Sequence, residues 1–258
     1  MGSASREALA VARKALNGPM SASAGAELLA AAAQIAATPA LLSALADASA
    51  PTEAKTGLVE RLFGGASIGT RGVLAAAAEQ AWSSPSELVD GIEELGLRAE
   101  AIAMPNIDEE LLAAATTIDS SHDLELSLGN KLGDPAAKVT LVERIFSGKL
   151  SAPAVGVVSH FVANPRGRRV SAALRSSARI AADQGGSELA TVTVAAPLSS
   201  AQQDKLAVLL QQSAGRPVRV TTVVDPTLVG GVRIQIGDDV IDGSVRSRID
   251  DLRLQLAG

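Results

Sequence analysis

Two histidines, His122 and His160, are the only imidazoles in a chain of 258 residues that contains no cysteine. Imidazole is the usual general base near neutral pH and a common metal ligand. Either role needs company, because zinc takes a set of ligands and a nucleophile needs an oriented base. His122 and His160 are distant in sequence and sit in no ligand-spacing motif. Without cysteine, disulfides and thiolate chemistry are excluded. The run Gly64-Gly65-Ala66-Ser67-Ile68-Gly69 has the glycines of a phosphate loop but not its Lys-Ser/Thr, so it reads as a helix stop. Serines are abundant, yet the glycine-flanked elbow of a hydrolase is absent. The paired acids Asp238-Asp239 and Asp250-Asp251 could hold a cation, but turn and solvated-helix roles fit them better. No catalytic, cofactor-binding or metal-binding residue is therefore expected, and no cofactor.

The run Arg166-Gly167-Arg168-Arg169, continued by Arg175 and Arg179, is the one local concentration of positive charge. Phosphate binding needs such clusters, but base stacking also needs aromatics, and only Phe161 is near. A solvated helix end or a salt-bridging protein contact suits the run better than nucleic acid. Glu60-Arg61 and Glu143-Arg144 leave the same two options, holding one helix against its neighbour or facing water. The whole chain has a formal net charge of −5, which argues against a general binder of nucleic acid or acidic membrane. The most apolar stretch, Leu28 to Ala37, carries Gln34 and is too short to span a bilayer. Arg6 stands where a myristoylation motif wants Ser or Thr. The chain is expected to be soluble and cytoplasmic.

The elements that hold these residues are mostly helical. With 47% apolar residues but only 2% aromatics, the cores must be built from Ala, Leu, Val and Ile. Punctuation by Gly, Pro and capping residues predicts helices over 5–16, 24–37, 39–48, 51–63, 67–82 and 84–104. Ser84-Pro85-x-Glu87 offers a cap, a proline at the first helical position and a capping-box acid. Short loops between helices predict antiparallel packing into a bundle.

The pattern then repeats. Leu58-Val59-Glu60-Arg61-Leu62-Phe63 recurs as Leu141-Val142-Glu143-Arg144-Ile145-Phe146, a shift of 83 residues. At that shift Lys55 lies over Lys138, Ile35 over Ile118, Leu41 over Leu124, Leu45 over Leu128, and Glu27-Leu28-Leu29 over Glu110-Leu111-Leu112. Helical periodicity alone would also give matches at neighbouring shifts, so an internal duplication is expected, with copies at roughly 20–103 and 104–183. A linker is expected at Gln184-Gly185-Gly186-Ser187. Beyond it come a strand from Leu189 to Ala195, a helix capped by Ser199 or Ser200 with Leu206, Leu209 and Leu210 apolar, and a strand at Val218, Val220 and Thr222. The predicted organisation is mainly α with a small α+β C-terminal domain: a first helical bundle at 1–103, a second at 104–184, and the C-terminal domain at 185–258.

The last stretch is the most specific. Gly230-Gly231 precedes a strand with Val232, Ile234 and Ile236 on one face and Arg233 and Gln235 on the other. Gly237-Asp238-Asp239 reads as a turn and Val240-Ile241 as a short strand. Asp242-Gly243-Ser244 can start a helix whose stripe is Val245, Ile249, Leu252 and Leu256. This run, with Val240-Ile241-Asp242-Gly243-Ser244-Val245-Arg246 within it, resembles the C-terminal signature of the ATP synthase delta subunit family, whose mitochondrial counterpart is the oligomycin sensitivity-conferring protein.

The resemblance implies a non-catalytic stator subunit of a rotary ATP synthase, located on the inner face of the cell membrane through its complex. It implies a helical domain that grips the N-terminal helices of alpha subunits, and a C-terminal domain that joins a b-type peripheral stalk subunit. Gly230, Gly231, Asp242, Gly243, Val245, Arg246, Ile249 and Leu252 are the partner-binding or structural signature so implied. One departure stands out: ordinary members have a single helical bundle, and the two copies here resemble long actinobacterial forms. The alternative is a generic helical scaffold for unrelated partner helices. It shares every structural expectation and lacks only the C-terminal signature.

Overall fold

The computed structural model describes residues 1–130, 133–215, 217–225, 228, 230–236 and 239–243. They are mainly helical with a small mixed sheet near the C-terminus, and they divide into two compact units, 1–181 and 182–258. The first unit opens with α1 (Ser3–Ala12), which tightens into a 3-10 turn over Arg13–Asn17. Then come α2 (Ala24–Ala37), α3 (Pro39–Ala46), α4 (Thr52–Leu62), α5 (Ile68–Ala78) and α6 (Pro85–Ala103). A second set follows in the same order: α7 (Ile107–Asp119), α8 (His122–Gly129), α9 (Pro135–Phe146), α10 (Ala152–Ala163) and α11 (Val170–Gln184).

Local chemistry explains the starts. Ser67, Ser84, Ser121 and Ser151 each accept a hydrogen bond from a backbone amide in the first turn of the helix they precede. Proline stands at the start of α3, α6 and α9, where its missing N–H costs nothing. Two sequence expectations need correction. The helix predicted through Trp82 ends at Ala78, and Trp82 turns back so that its Nε1 donates to the Ala77 carbonyl at 2.8 Å. Glu87 does not close a capping box. Its carboxylate is drawn instead to the start of α1, where it accepts from the Gly2 amide at 3.1 Å and from the Ser5 hydroxyl.

The two sets match in detail. Leu28 and Leu111, Ile35 and Ile118, Leu45 and Leu128, Val59 and Val142, and Phe63 and Phe146 are all buried. Lys55 and Lys138 are both buried too, and Lys138 Nζ donates to the Asn130 carbonyl. A further match is tertiary: the Glu27 carboxylate accepts from the Ser67 amide at 2.9 Å, and the Glu110 carboxylate accepts from the Ser151 amide at 2.7 Å. Glu27 on α2 thus holds the start of α5, and Glu110 on α7 the start of α10.

Helix α6 lies at the centre of the first unit. From Leu88 to Ala101 only Asp90 and Glu94 escape full burial, and a helix buried on nearly all sides is a core element rather than an amphipathic surface one. Its widest packing is against α2. The first set's core runs through Ala8, Leu28, Ile35, Phe63, Leu74, Trp82, Leu88, Ile92 and Leu95. No single helix among the described residues is long and apolar enough to cross a membrane.

The expected linker is a helix-ending turn. Gly186 has φ +74°, and the Ser187 amide donates to the Ala182 carbonyl at 2.9 Å, the bond pattern that closes a helix on a left-handed residue. The second unit holds β1 (Glu188–Val194), α12 (Ser200–Ala214), β2 (Val218–Val224), β3 (Val232–Ile236) and β4 (Asp239–Asp242). The sheet order is β2-β1-β3-β4, with β1 and β2 parallel and the other pairs antiparallel. Ala190, Val192 and Val194 of the central strand pack with Leu210 and Ile234. Leu206 joins them, but Leu209 is 61% exposed. Ser199 does complete a capping box with Gln202.

Candidate functional site

The described part of the C-terminal signature lies at one end of the β3–β4 ladder. Gly230 and Gly231 have φ of 142° and 82°, conformations that L side chains rarely adopt, and they lead straight into β3. Across the ladder Asp242 sits opposite Arg233, and the Gly243 amide donates to the Val232 carbonyl at 2.9 Å. A Cβ on Gly243 would come to 3.2 Å from that carbonyl oxygen. The structure therefore brings Gly230, Gly231, Asp242 and Gly243 together, through hydrogen bonds between residues distant along the chain. Asp242, expected to start a helix, is the last residue of β4. Val245, Arg246, Ile249 and Leu252, like the turn at Gly237-Asp238, the acids Asp250-Asp251 and the predicted terminal helix, lie outside the described residues.

Strands β2 and β4 are the sheet's edges, and an edge strand offers backbone groups for pairing with another chain. Exposed apolar side chains cluster by element here: Val240 and Ile241 on β4, Val224 at the end of β2, and Val208 and Leu209 on α12. In the helical unit Ile68 and Leu126 are the most exposed large apolar residues.

Most of the basic run is inward-facing, which the sequence leaves open. Glu93 of α6 is 3% exposed and uses both carboxylate oxygens. Oε1 lies 3.1 Å from His160 Nε2 and accepts from Arg168 at 3.1 Å, while Oε2 accepts from Arg168 at 2.8 Å and pairs with Arg166 at 3.2 Å. Arg166 also meets Asp90 at 2.9 Å, and the Arg168 guanidinium lies 5.0 Å from the centre of the Phe161 ring. Arg175 pairs with Asp119 at 2.5 Å. Of the two readings the sequence left open, a solvated helix end or a salt-bridging contact, these are the second, made within the chain. Glu60 likewise ties α4 to Arg71 of α5 at 3.0 Å, whereas Arg61, Glu143 and Arg144 face outward.

Burial alone would raise the Glu93 pKa, but hydrogen bonds from His160 and Arg168 and the charges of Arg168 and Arg166 outweigh it and hold the group at about 2. Glu27 is lowered to about 2 as well, where burial is again opposed, by hydrogen bonds from Thr70, Ser67 and Ser23. Glu100 behaves oppositely: packed against Gly25, where a Cβ would come to 2.7 Å from Oε1, it is pushed up by burial. Folded-state values below the unfolded value of 4.5 give stability that is present above that pH and is lost as pH falls toward 2. Acid titration of unfolding should show this loss, with Glu93 contributing on the order of 2–3 kcal/mol. Glu93→Gln should flatten the acid limb; a limb of unchanged steepness would remove Glu93 as its cause. Glu100→Gln should stabilise the protein at neutral pH, because it removes a charge disfavoured by burial.

Two clefts cut the helical unit. One, of about 550 Å³, is lined by Ile118, His122, Leu126 and Val170. The other, of about 390 Å³, runs between α6 and α11, with Leu97, Phe161, Ala173 and Ile180 on its walls. Among the described residues no three His, Asp or Glu side chains converge as a metal-ligand set.

Comparison with known proteins gives one consistent result. Residues 95–256 match the family described as ATP synthase delta (OSCP) subunit. An ATP synthase subunit delta from Leifsonia xyli is 45% identical, with both chains covered in full. Another from Nocardia farcinica is 36% identical, again over all of both chains, and one from Streptomyces coelicolor is 34% identical over 100% of this chain and 98% of its own. A solved chain of the Toxoplasma gondii mitochondrial ATP synthase hexamer aligns at 18% identity over 63% of this chain and 96% of that one, with a TM-score of 0.38, too low for a shared fold to be argued from it.

Proposed function

Because the chain belongs to the ATP synthase delta (OSCP) subunit family, we propose that it is the stator connector between the catalytic head and the peripheral stalk. As a delta subunit it is a non-catalytic part of the ATP synthase complex. The finer reading assigns the N-terminal helices of alpha subunits to the helical unit and a b-type stalk subunit to the C-terminal unit. The assembly then sits peripherally on the inner face of the cell membrane. The observation that carries this reading is the division into two compact units of different architecture, since a connector must hold two partners at once.

The matched stretch begins at residue 95, so it covers the second helical set and the C-terminal unit together. We take that set as the counterpart of the family's usual single bundle, and the first set as its duplicate. The paired Glu27–Ser67 and Glu110–Ser151 hydrogen bonds support a common origin, because they join helices that the repeat alone does not bring together.

An amphipathic alpha-subunit helix would dock by laying its apolar stripe between helices. Burying roughly 600 Å² of apolar surface is worth about 15 kcal/mol at ~25 cal/mol per Å². Association and ordering offset half or more of that, which leaves micromolar binding or tighter. Titration calorimetry on a 1–184 fragment and a 187–258 fragment, with an alpha N-terminal peptide and the stalk end as titrants, tests the division. Peptide heat should follow the first fragment and stalk heat the second. If the intact chain binds neither partner, the connector reading fails and a generic helical scaffold replaces it.

A further inference from the structure

Glu93 stands at an unusual place for a buried carboxylate. It projects from α6, which closes the first helical set and packs along α2, yet every group that satisfies it comes from α10 or the loop after it. His160 is on the last turn of α10, and Arg166 and Arg168 lie in the 164–169 connection to α11. The partners are 67 to 75 residues away in sequence. The loop is shaped for this contact. Arg166 takes φ 46°, the one left-handed non-glycine among the described residues, followed by Gly167 at φ 80°. In that conformation Arg166 reaches Glu93, Asp90 and the Ser86 carbonyl, the last at 3.1 Å, all on α6. Arg168 reaches the same carboxylate with two nitrogens while lying over Phe161.

We propose that Glu93 and the 164–169 loop form a clasp that makes the two helical sets open as one unit, with α6 as the post to which both are fixed. Peeling α10 and α11 away from α6 would break at once every contact that Glu93, 3% exposed, makes with two guanidinium groups and an imidazole. Such a broken buried pair is far more costly than an exposed one. The second set therefore does not open independently while the clasp is closed. This inference stands on the geometry of the helical unit and does not depend on the connector reading.

Segment-resolved amide hydrogen exchange on the full chain tests it. In the native protein, α10 and α11 should exchange through the same opening as α2 and α6. In Glu93→Gln, α10, α11 and the loop should exchange about 10- to 100-fold faster, and by a clearly larger factor than α2 to α5. Trp82, the sole tryptophan and part of the first set's core, should report a smaller loss of stability than α10 and α11 show by exchange. High salt supplies a second arm, because the Arg166 and Arg168 side chains are 22% and 35% exposed and remain open to screening. Salt should speed loop exchange in the native protein and do so less in Glu93→Gln, where, of the pairs these two arginines make, only Arg166–Asp90 is left to screen. Arg166→Gly accepts the left-handed backbone and deletes that residue's two ion pairs and its bond to the Ser86 carbonyl but keeps Arg168 and His160 on Glu93, so it should give a smaller shift of the same pattern. If Glu93→Gln does not fold, Arg166→Gly decides alone. Uniform acceleration across α2 to α11, or none anywhere, overturns the clasp.

Discussion

Replacing Gly91 by alanine should destabilise the helical unit by about 2 kcal/mol, although alanine is the better helix former. Gly91 lies inside α6, where the exchange of glycine for alanine is normally worth about 1 kcal/mol in favour of folding. Here the space is taken. A Cβ at Gly91 would land on the Trp82 ring, nearer to Cη2 and Cζ3 than real contacts allow and 3.1 Å from Cζ2. The indole has little freedom to retreat, because it is 9% exposed and its Nε1 is bonded to the Ala77 carbonyl. Overpacking of a filled core costs typically 1–3 kcal/mol and occasionally more, so about 3 kcal/mol of strain set against about 1 kcal/mol of propensity leaves a net loss. Gly72→Ala is the matched control. Gly72 is inside α5 with nothing within 4 Å of its would-be Cβ, so only propensity acts and stability should rise by up to about 1 kcal/mol. Urea titration followed by the fluorescence of Trp82 measures both. A stabilised Gly91→Ala would show that the ring is not held over α6.

The same residues show what sequence can and cannot disclose. The start of α6 was legible because Ser84-Pro85 carries its reasons within a few residues: a side-chain acceptor for orphan amides and a proline that tolerates the first turn. The 83-residue repeat was legible because matched positions such as Leu28 and Leu111 share one burial requirement. Contacts across long separations were not. Glu87 looked like a local capping acid, and a competing donor set at Gly2 and Ser5 took it. Glu93 had no marker at all, since a Glu-Glu pair on a helix usually faces water and its partners lie in a run that could equally have been solvated. Charge segregation offered the only available hint: Asp90, Glu93 and Glu94 on α6 are the acidic counterpart of Arg166, Arg168 and Arg169. In the C-terminal unit the alternation of Val232, Ile234 and Ile236 fixed the inner face of β3, whereas the apolar run Leu206, Leu209 and Leu210 did not show that Leu209 is exposed and Leu210 buried.

Substitution of Gly231 by valine should open the C-terminal unit while leaving the helical unit intact. The backbone there has φ 82°, preceded by φ 142° at Gly230, and a β-branched side chain strongly disfavours both. Forcing either position costs about 1–3 kcal/mol, either as strain or as a rearranged approach to β3. The unit can bear little of that, because its buried apolar core among the described residues is small: Ala190, Val192, Val194, Leu210 and Ile234. A shifted β3 also breaks its register with β1 and loosens the Val232 carbonyl from the Gly243 amide. The effect should therefore reach the Asp242-Gly243 end, where the described signature residues meet. Hydrogen exchange in β1 and β3 should rise by about 10- to 100-fold for Gly231→Val and similarly for Gly230→Val. Trp82 fluorescence should report an unchanged midpoint for residues 1–181, since that unit contains neither glycine. On the connector reading the consequence is selective: stalk binding weakens while binding of an alpha-subunit peptide persists. If exchange in β1 and β3 stays at its native rate in both variants, the two glycines form only a permissive loop, and the signature they begin owes its shape to the strands that follow.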